Sequence, residues 1–204
     1  MPELNELDYS RYPDVSAAGD LRSALQDNFD SAGIPLEAGY VESPGWAKTH
    51  TVVTAGARQV FIHMVSGDRA FRIDFWTQSV QMAGGSTADL RSVAAAIAVF
   101  LHGARLEQLG AACTFVTFSR FAQAFERGEA EAIAFRWQQL LDPPPERARH
   151  LHGLHAFLMA ASTEPRLRAL YPFTSTSISA FGGPFSARRA PPWFGCDPSA
   201  AAAT

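Results

Sequence analysis

The stretch from His50 to Thr77 constrains the fold more than any other part of the chain. Apolar and polar residues alternate there with a period of two. Its segments His50 to Ala57, Gln59 to Val65 and Arg69 to Thr77 are rich in Val, Ile, Phe and Trp, the side chains that suit a pleated surface. Ser66-Gly67-Asp68 supplies a turn between the last two segments and predicts a hairpin. With Gly67 and Asp68 central in that turn, Met64 pairs with Phe71, Ile62 with Ile73 and Val60 with Phe75. This face is wholly apolar and belongs to a core. The other face carries Phe61, His63 and Val65 against Asp74, Arg72 and Ala70, with Trp76 further along.

On either side the period lengthens towards 3.6. Leu21, Leu25 and Phe29 predict a helix that starts near Ser16 or Asp20 and ends before Gly33 and Pro35. Leu36 to Val41 reads as extended, and Glu42 to Ala47 as a loop. Gly84-Gly85-Ser86-Thr87 breaks the strand pattern, with Thr87 as N-cap of a helix from about Ala88 to Leu101. Leu90, Val93, Ala94, Ile97 and Leu101 form its core stripe. Leu106 to Leu109 reads as a short helix or turn, and Cys113 to Phe118 as a strand or buried connector. One long helix is predicted over Phe121 to Leu141, stopped by Asp142-Pro143-Pro144-Pro145. Another spans Glu146 to Ala161, and a short one opens at Thr163-Glu164-Pro165 and runs to Leu170. Phe173 to Phe181 reads as extended. Strands and helices are segregated, so the expected class is α+β: a small antiparallel sheet covered by several helices. Residues 1–15 read as a flexible arm, 16–181 as a single α+β domain, and 182–204 as a mostly mobile tail rich in Pro, Gly and Ala.

Composition excludes some functions. The formal charge of −3 over 204 residues leaves no broad basic face for nucleic acid. No run approaches the roughly 18 apolar residues of a membrane helix, and the acidic, polar N-terminus has no signal pattern. Two cysteines, Cys113 and Cys196, without such a signal suggest a reducing, cytoplasmic setting. Cys113 lies in an apolar run and reads as a small buried hydrophobe. Lys48 is the only lysine and sits among polar neighbours, a poor place for Schiff-base chemistry. The chain has no GxxxxGK[ST] or GxGxxG pattern, so no P-loop or Rossmann cofactor site is expected. No GxSxG elbow surrounds Thr174-Ser175-Thr176-Ser177.

Three constellations remain. Glu126, Ala130, Ile133, Trp137 and Leu140 share a helical stripe on the predicted long helix, with Glu126 in it or at its edge. A carboxylate against apolar surface has its charged form disfavoured, which suits a general acid or base. The plain alternative is a glutamate that reaches solvent or an arginine. His63, Arg72 and Asp74 on the outer hairpin face could bind an anion or move a proton, or form an ordinary salt bridge beside a stacked histidine. His150, His152 and His155 cluster, but only His152 and His155 have ligand spacing and no carboxylate is interleaved, so exposed histidines fit better than a metal site.

Two segments, Ala134-Phe135-Arg136-Trp137-Gln138-Gln139-Leu140-Leu141 and Glu164-Pro165-Arg166-Leu167-Arg168-Ala169-Leu170-Tyr171-Pro172-Phe173-Thr174-Ser175, carry a resemblance, joined by Asp14-Val15-Ser16-Ala17-Ala18-Gly19-Asp20-Leu21. Over residues 14 to 181 the chain resembles a bacterial family of unknown function whose members are commonly labelled natural-product biosynthesis proteins. A histidine often follows the serine in that family; Thr176 stands there, so no role for it carries over. The resemblance implies a natural-product, antibiotic-type setting and draws attention to Trp137, Arg168 and Ser175. The expected function is a tailoring protein in secondary metabolism: a cofactor-independent cyclase, isomerase or dehydratase with an apolar aromatic pocket. Glu126, His63 and Asp74 would be its acid/base groups, Arg168 or Arg72 would stabilise negative charge, and Trp137, Trp76, Tyr171 and Ser175 would hold a small biosynthetic intermediate. The alternative is a non-catalytic protein that binds such an intermediate or a partner enzyme. A homodimer fits either reading.

Overall fold

A computed structural model of the chain describes residues 7–41, 46–143, 154–174 and 179–182. The chain divides into two compact units, Met1–Phe118 with Ala190–Thr204, and Ser119–Arg189. A boundary at Ser119 has no counterpart in the reading of one domain over 16–181. The α+β class holds: a five-stranded antiparallel sheet and eight α-helices are formed by the described residues. None of those helices is long and apolar enough to cross a membrane.

The first unit is built on a meander of β1 (His50–Ala55), β2 (Arg58–Met64), β3 (Phe71–Thr77), β4 (Val80–Thr87) and β5 (Val116–Thr117), in that spatial order. The β2–β3 register is the one the alternation dictates, with Val60 opposite Phe75, Ile62 opposite Ile73 and Met64 opposite Phe71. These six side chains are buried. Four helices complete the unit: α1 (Pro13–Ala18), α2 (Leu21–Ala32), α3 (Leu90–Leu101) and α4 (Leu106–Ala112). Helix α2 buries Leu21, Ala24, Leu25 and Phe29. The Asp20 carboxylate caps its start by accepting from the Ser23 amide at 2.7 Å, and Gly33 ends it in the left-handed region at φ 64°, as Asp20 and Gly33 predict. Helix α3 buries Leu90, Val93, Ala94, Ala96, Ile97 and Phe100. Phe100, not Leu101, completes the stripe, and its ring meets Phe75 edge-on at 5.1 Å. The Arg58 guanidinium donates to the Phe100 and Ala104 carbonyls, placing a cation at the C-terminal end of the helix.

Three local expectations are corrected in this unit. Residues 9–15 are not a loose arm. Tyr9–Arg11 forms a 3₁₀ turn, and Tyr12 and Val15 are fully buried. Gly84-Gly85-Ser86-Thr87 does not end the sheet but forms the second half of β4. A β-carbon on Gly85 would lie 2.5 Å from the Phe115 carbonyl oxygen, so this glycine marks a close backbone approach within a strand. Asp89, not Thr87, caps α3, accepting from the Arg91 and Ser92 amides at 3.1 Å each. Cys113 is a buried free thiol as expected, and its burial raises its pKa.

The second unit holds α5 (Arg120–Arg127), α6 (Glu129–Leu141), α7 (His155–Ser162), α8 (Pro165–Arg168) and the hairpin β6 (Tyr171–Thr174) with β7 (Ser179–Gly182). Trp137, Leu140, Leu158 and Ala161 form its core, with Ile133, Leu141, Leu154 and Leu167 packed against them. Glu164 and Pro165 open α8 as predicted; the Glu164 side chain accepts from the Arg166 amide. The expected single helix over 121–141 is two helices. Gly128 separates them at φ 139°, ψ 163°, a backbone region open essentially to glycine alone.

Candidate functional site

The outer face of the sheet is written by the same register that writes its core. One row across it reads His50, His63, Arg72 and Ser86. The next reads Val52, Phe61, Asp74, Gly84 and Thr117, and a third Thr54, Gln59, Trp76 and Gln81. His50, His63, Val52, Phe61, Asp74 and Trp76 are half-buried. Two-residue turns set these rows. Gly56 stands at φ 59° in the β1–β2 turn, and Gln78 and Ser79 at 50° and 67° in the β3–β4 turn.

Around His63 the side chains form a layered cluster. The Trp46 ring stacks on His50 at 4.6 Å, and His50 stacks on His63 at 5.3 Å, both nearly parallel. Burial first of all lowers the pKa of each histidine, and each is further influenced by charge: His50 by His63, and His63 by Arg72, with Asp74 pulling the other way. Both imidazoles are therefore neutral at pH 7 and able to accept a proton. The Asp74 carboxylate, 19% exposed, accepts from the Gln81 amide at 2.7 Å and lies 3.9 Å from the Arg72 guanidinium. A β-carbon at position 84 would come within 3.3 Å of the Asp74 carboxylate and 3.4 Å of the Gln81 amide, so Gly84 makes the space in which the two meet. Arg72 is 61% exposed and free to reach outward.

The cluster unites three of the expected residues, His63, Arg72 and Asp74, with Trp76 one row away. Trp46, His50, Phe61 and Gln81 were not singled out in the sequence. The signal for His50 was present: a two-residue Gly56-Ala57 turn pairs Ala55 with Arg58 and therefore His50 with His63. Among the described residues no group of three or more His, Cys, Asp or Glu side chains could hold a metal ion.

The remaining expected residues belong to the second unit. Trp137 is fully buried core, its indole N–H donating to the Leu170 carbonyl at 3.1 Å. Glu126 stands near the end of α5, before the break at Gly128. It does not continue the α6 stripe that carries Trp137, because that stripe assumed an unbroken helix. Arg168 ends α8 and is exposed, beside a groove along α6. Tyr171 opens β6, half-buried, its ring 6.1 Å from Phe121. Ser175, His150 and His152 lie outside the described residues, and His155 begins α7.

Residues 131–200 match a protein family described as a family of unknown function, DUF6193. No curated protein and no solved structure matches the chain. The family match begins within α6 and lies wholly beyond the sheet, so the His50, His63 and Asp74 cluster falls outside it.

Proposed function

We propose that the chain binds a small, largely apolar molecule on the outer face of its sheet and moves a proton there, as a cofactor-independent cyclase, isomerase or dehydratase of natural-product tailoring would. The observation that carries this reading is the half-buried neutral His63 between a flat stacking surface and a fixed carboxylate. Trp46 and Phe61 offer aromatic surface to a planar substrate. Neutral His63 takes a proton from an acidic C–H or O–H group. The imidazolium so formed is stabilised by Asp74, which Gln81 holds in place. The anion left on the substrate is stabilised by Arg72. The protein supplies orientation and, on the strand beside His63, two opposite charges. The resemblance to natural-product biosynthesis proteins supplies the substrate setting, and a cytoplasmic location is part of the same proposal.

The test is product formation in cells that make the pathway's metabolite. His63→Gln keeps the ring's volume and polarity in part but removes the titratable nitrogen. It should lower product formation by about 100-fold or more, the usual worth of a general base, while circular dichroism and the melting temperature stay close to wild type. Undiminished product from folded His63→Gln protein overturns the reading. The exposure of Arg72 favours a second reading, a non-catalytic protein that holds an acidic intermediate or a partner enzyme. In that case Arg72→Ala weakens ligand retention and His63→Gln leaves product formation intact.

A further inference from the structure

We propose that the groove along α6 in the second unit is a binding site for a small aromatic acid carrying a single negative charge. It has a volume of about 510 Å³ and is lined by Phe135, Gln138, Glu131, Arg127, Asp142 and Arg168, with Ala134 and Leu141 between them. That volume falls within the range of small-molecule sites.

The helix spacing builds the groove. Glu131, Ala134, Phe135 and Gln138 follow the i, i+3, i+4, i+7 pattern and so share one face of α6, with Leu141 at its edge towards the core. Its inward face is the one that buries Trp137 and Leu140. The outward face thus presents an aromatic ring, half-buried, between polar neighbours. The Phe135 ring is itself braced by Phe121 at 6.3 Å, and Phe121 by Tyr171 at 6.1 Å. A braced ring loses little freedom when a second ring stacks on it.

The charges select the ligand. Of the two lining guanidiniums, Arg127 is 3.7 Å from Glu131, across the break at Gly128. Arg168 makes no ion pair or side-chain hydrogen bond with any described residue, and its guanidinium is available as a bidentate donor. A phosphate carries a charge of about −1.5 to −2 and would face Glu131 and Asp142 as well as Arg168. A carboxylate brings one charge, matches the guanidinium fork, and meets less repulsion from Glu131 and Asp142 than a phosphate does. Gln138 adds an amide that can donate to the acid or to a ring substituent. The site lies in the second unit and does not depend on the proton-transfer reading of the sheet.

The test uses the whole chain and 2-naphthoate as probe, titrated by calorimetry and by amide NMR shifts. Saturable binding is expected, with shifts at Phe135, Gln138 and Arg168. Methyl 2-naphthoate, which lacks the charge, should bind about tenfold more weakly or worse, since a charge-assisted pair is lost. Arg168→Ala should weaken naphthoate to the same degree and leave the methyl ester unchanged. Absence of saturable binding, equal binding of acid and ester, or tighter binding of 2-naphthyl phosphate than of naphthoate would each overturn the proposal. The acid–ester comparison needs no variant, so it decides the matter even if Arg168→Ala does not fold.

Discussion

At Tyr12 one phenol serves both sides of the β2–β3 turn. Its hydroxyl donates to the Val65 carbonyl at 2.6 Å and accepts from the Ala70 amide at 3.1 Å, and its ring is 1% exposed. Val65 and Ala70 also bond to each other, so the phenol locks the first backbone pair beyond the ladder. Arg69 lies over the Tyr12 ring and holds Asp14 with two hydrogen bonds of 2.8 Å. The sequence around 9–15 is polar and reads as an arm because nothing local announces a tyrosine that pins a distant hairpin. Tyr12→Phe keeps the ring and strips the partner from two backbone groups, which costs on the order of 1–3 kcal/mol. Urea denaturation followed by circular dichroism checks this, and a midpoint equal to wild type would mean that water replaces the phenol.

Among the elements, strands were more legible than the joints between helices. Two alternating runs and a glycine turn set the β2–β3 register without reference to anything else, because side chains i and i+2 must share a face. The β3–β4 turn was not visible, since Gln78 and Ser79 adopt positive φ without glycine or asparagine at either place. With that turn missed, Gly84 and Gly85 looked like a break. At Gly128 the opposite error arises: a helical stripe extends through a residue whose backbone is not helical. The stripe assignment failed for Glu126, before the break, and held for Trp137 and Leu140, both beyond it. Gly128→Ala forces a β-carbon into a conformation close to glycine-only, and a cost of about 1–3 kcal/mol is expected. Thermal melting read by helical circular dichroism should fall accordingly, and an unchanged melt would show that α5 and α6 tolerate a different junction.

For the whole molecule the pH dependence of stability gathers these groups. His50 and His63 lie below their ordinary value of 6.5, chiefly because burial disfavours the imidazolium. The unfolded chain therefore binds more protons, and the stability present above about pH 6.5 is lost as the pH falls. Asp14 lies below its ordinary 3.8, chiefly through its hydrogen bonds from Arg69. Its contribution is present above pH 3.8 and is lost below it. Denaturation series from pH 7 to 3 should show stability falling in two stages, the first absent from a His50→Gln, His63→Gln double variant and the second reduced in Asp14→Asn. Constant stability from pH 7 to 5 in the wild type would contradict the burial of the two imidazoles. By itself the sequence determined the α+β class, the apolar and polar faces of β2 and β3, and the glycine stop of α2, because alternation and glycine stops act between near neighbours along the chain. Only the tertiary structure decided that Gly84 leaves room for Asp74 to meet Gln81, that Gly85 lies under the Phe115 backbone, and that Trp137 serves the core through Leu170. Those outcomes depend on which distant backbone comes close, and no local period records that approach.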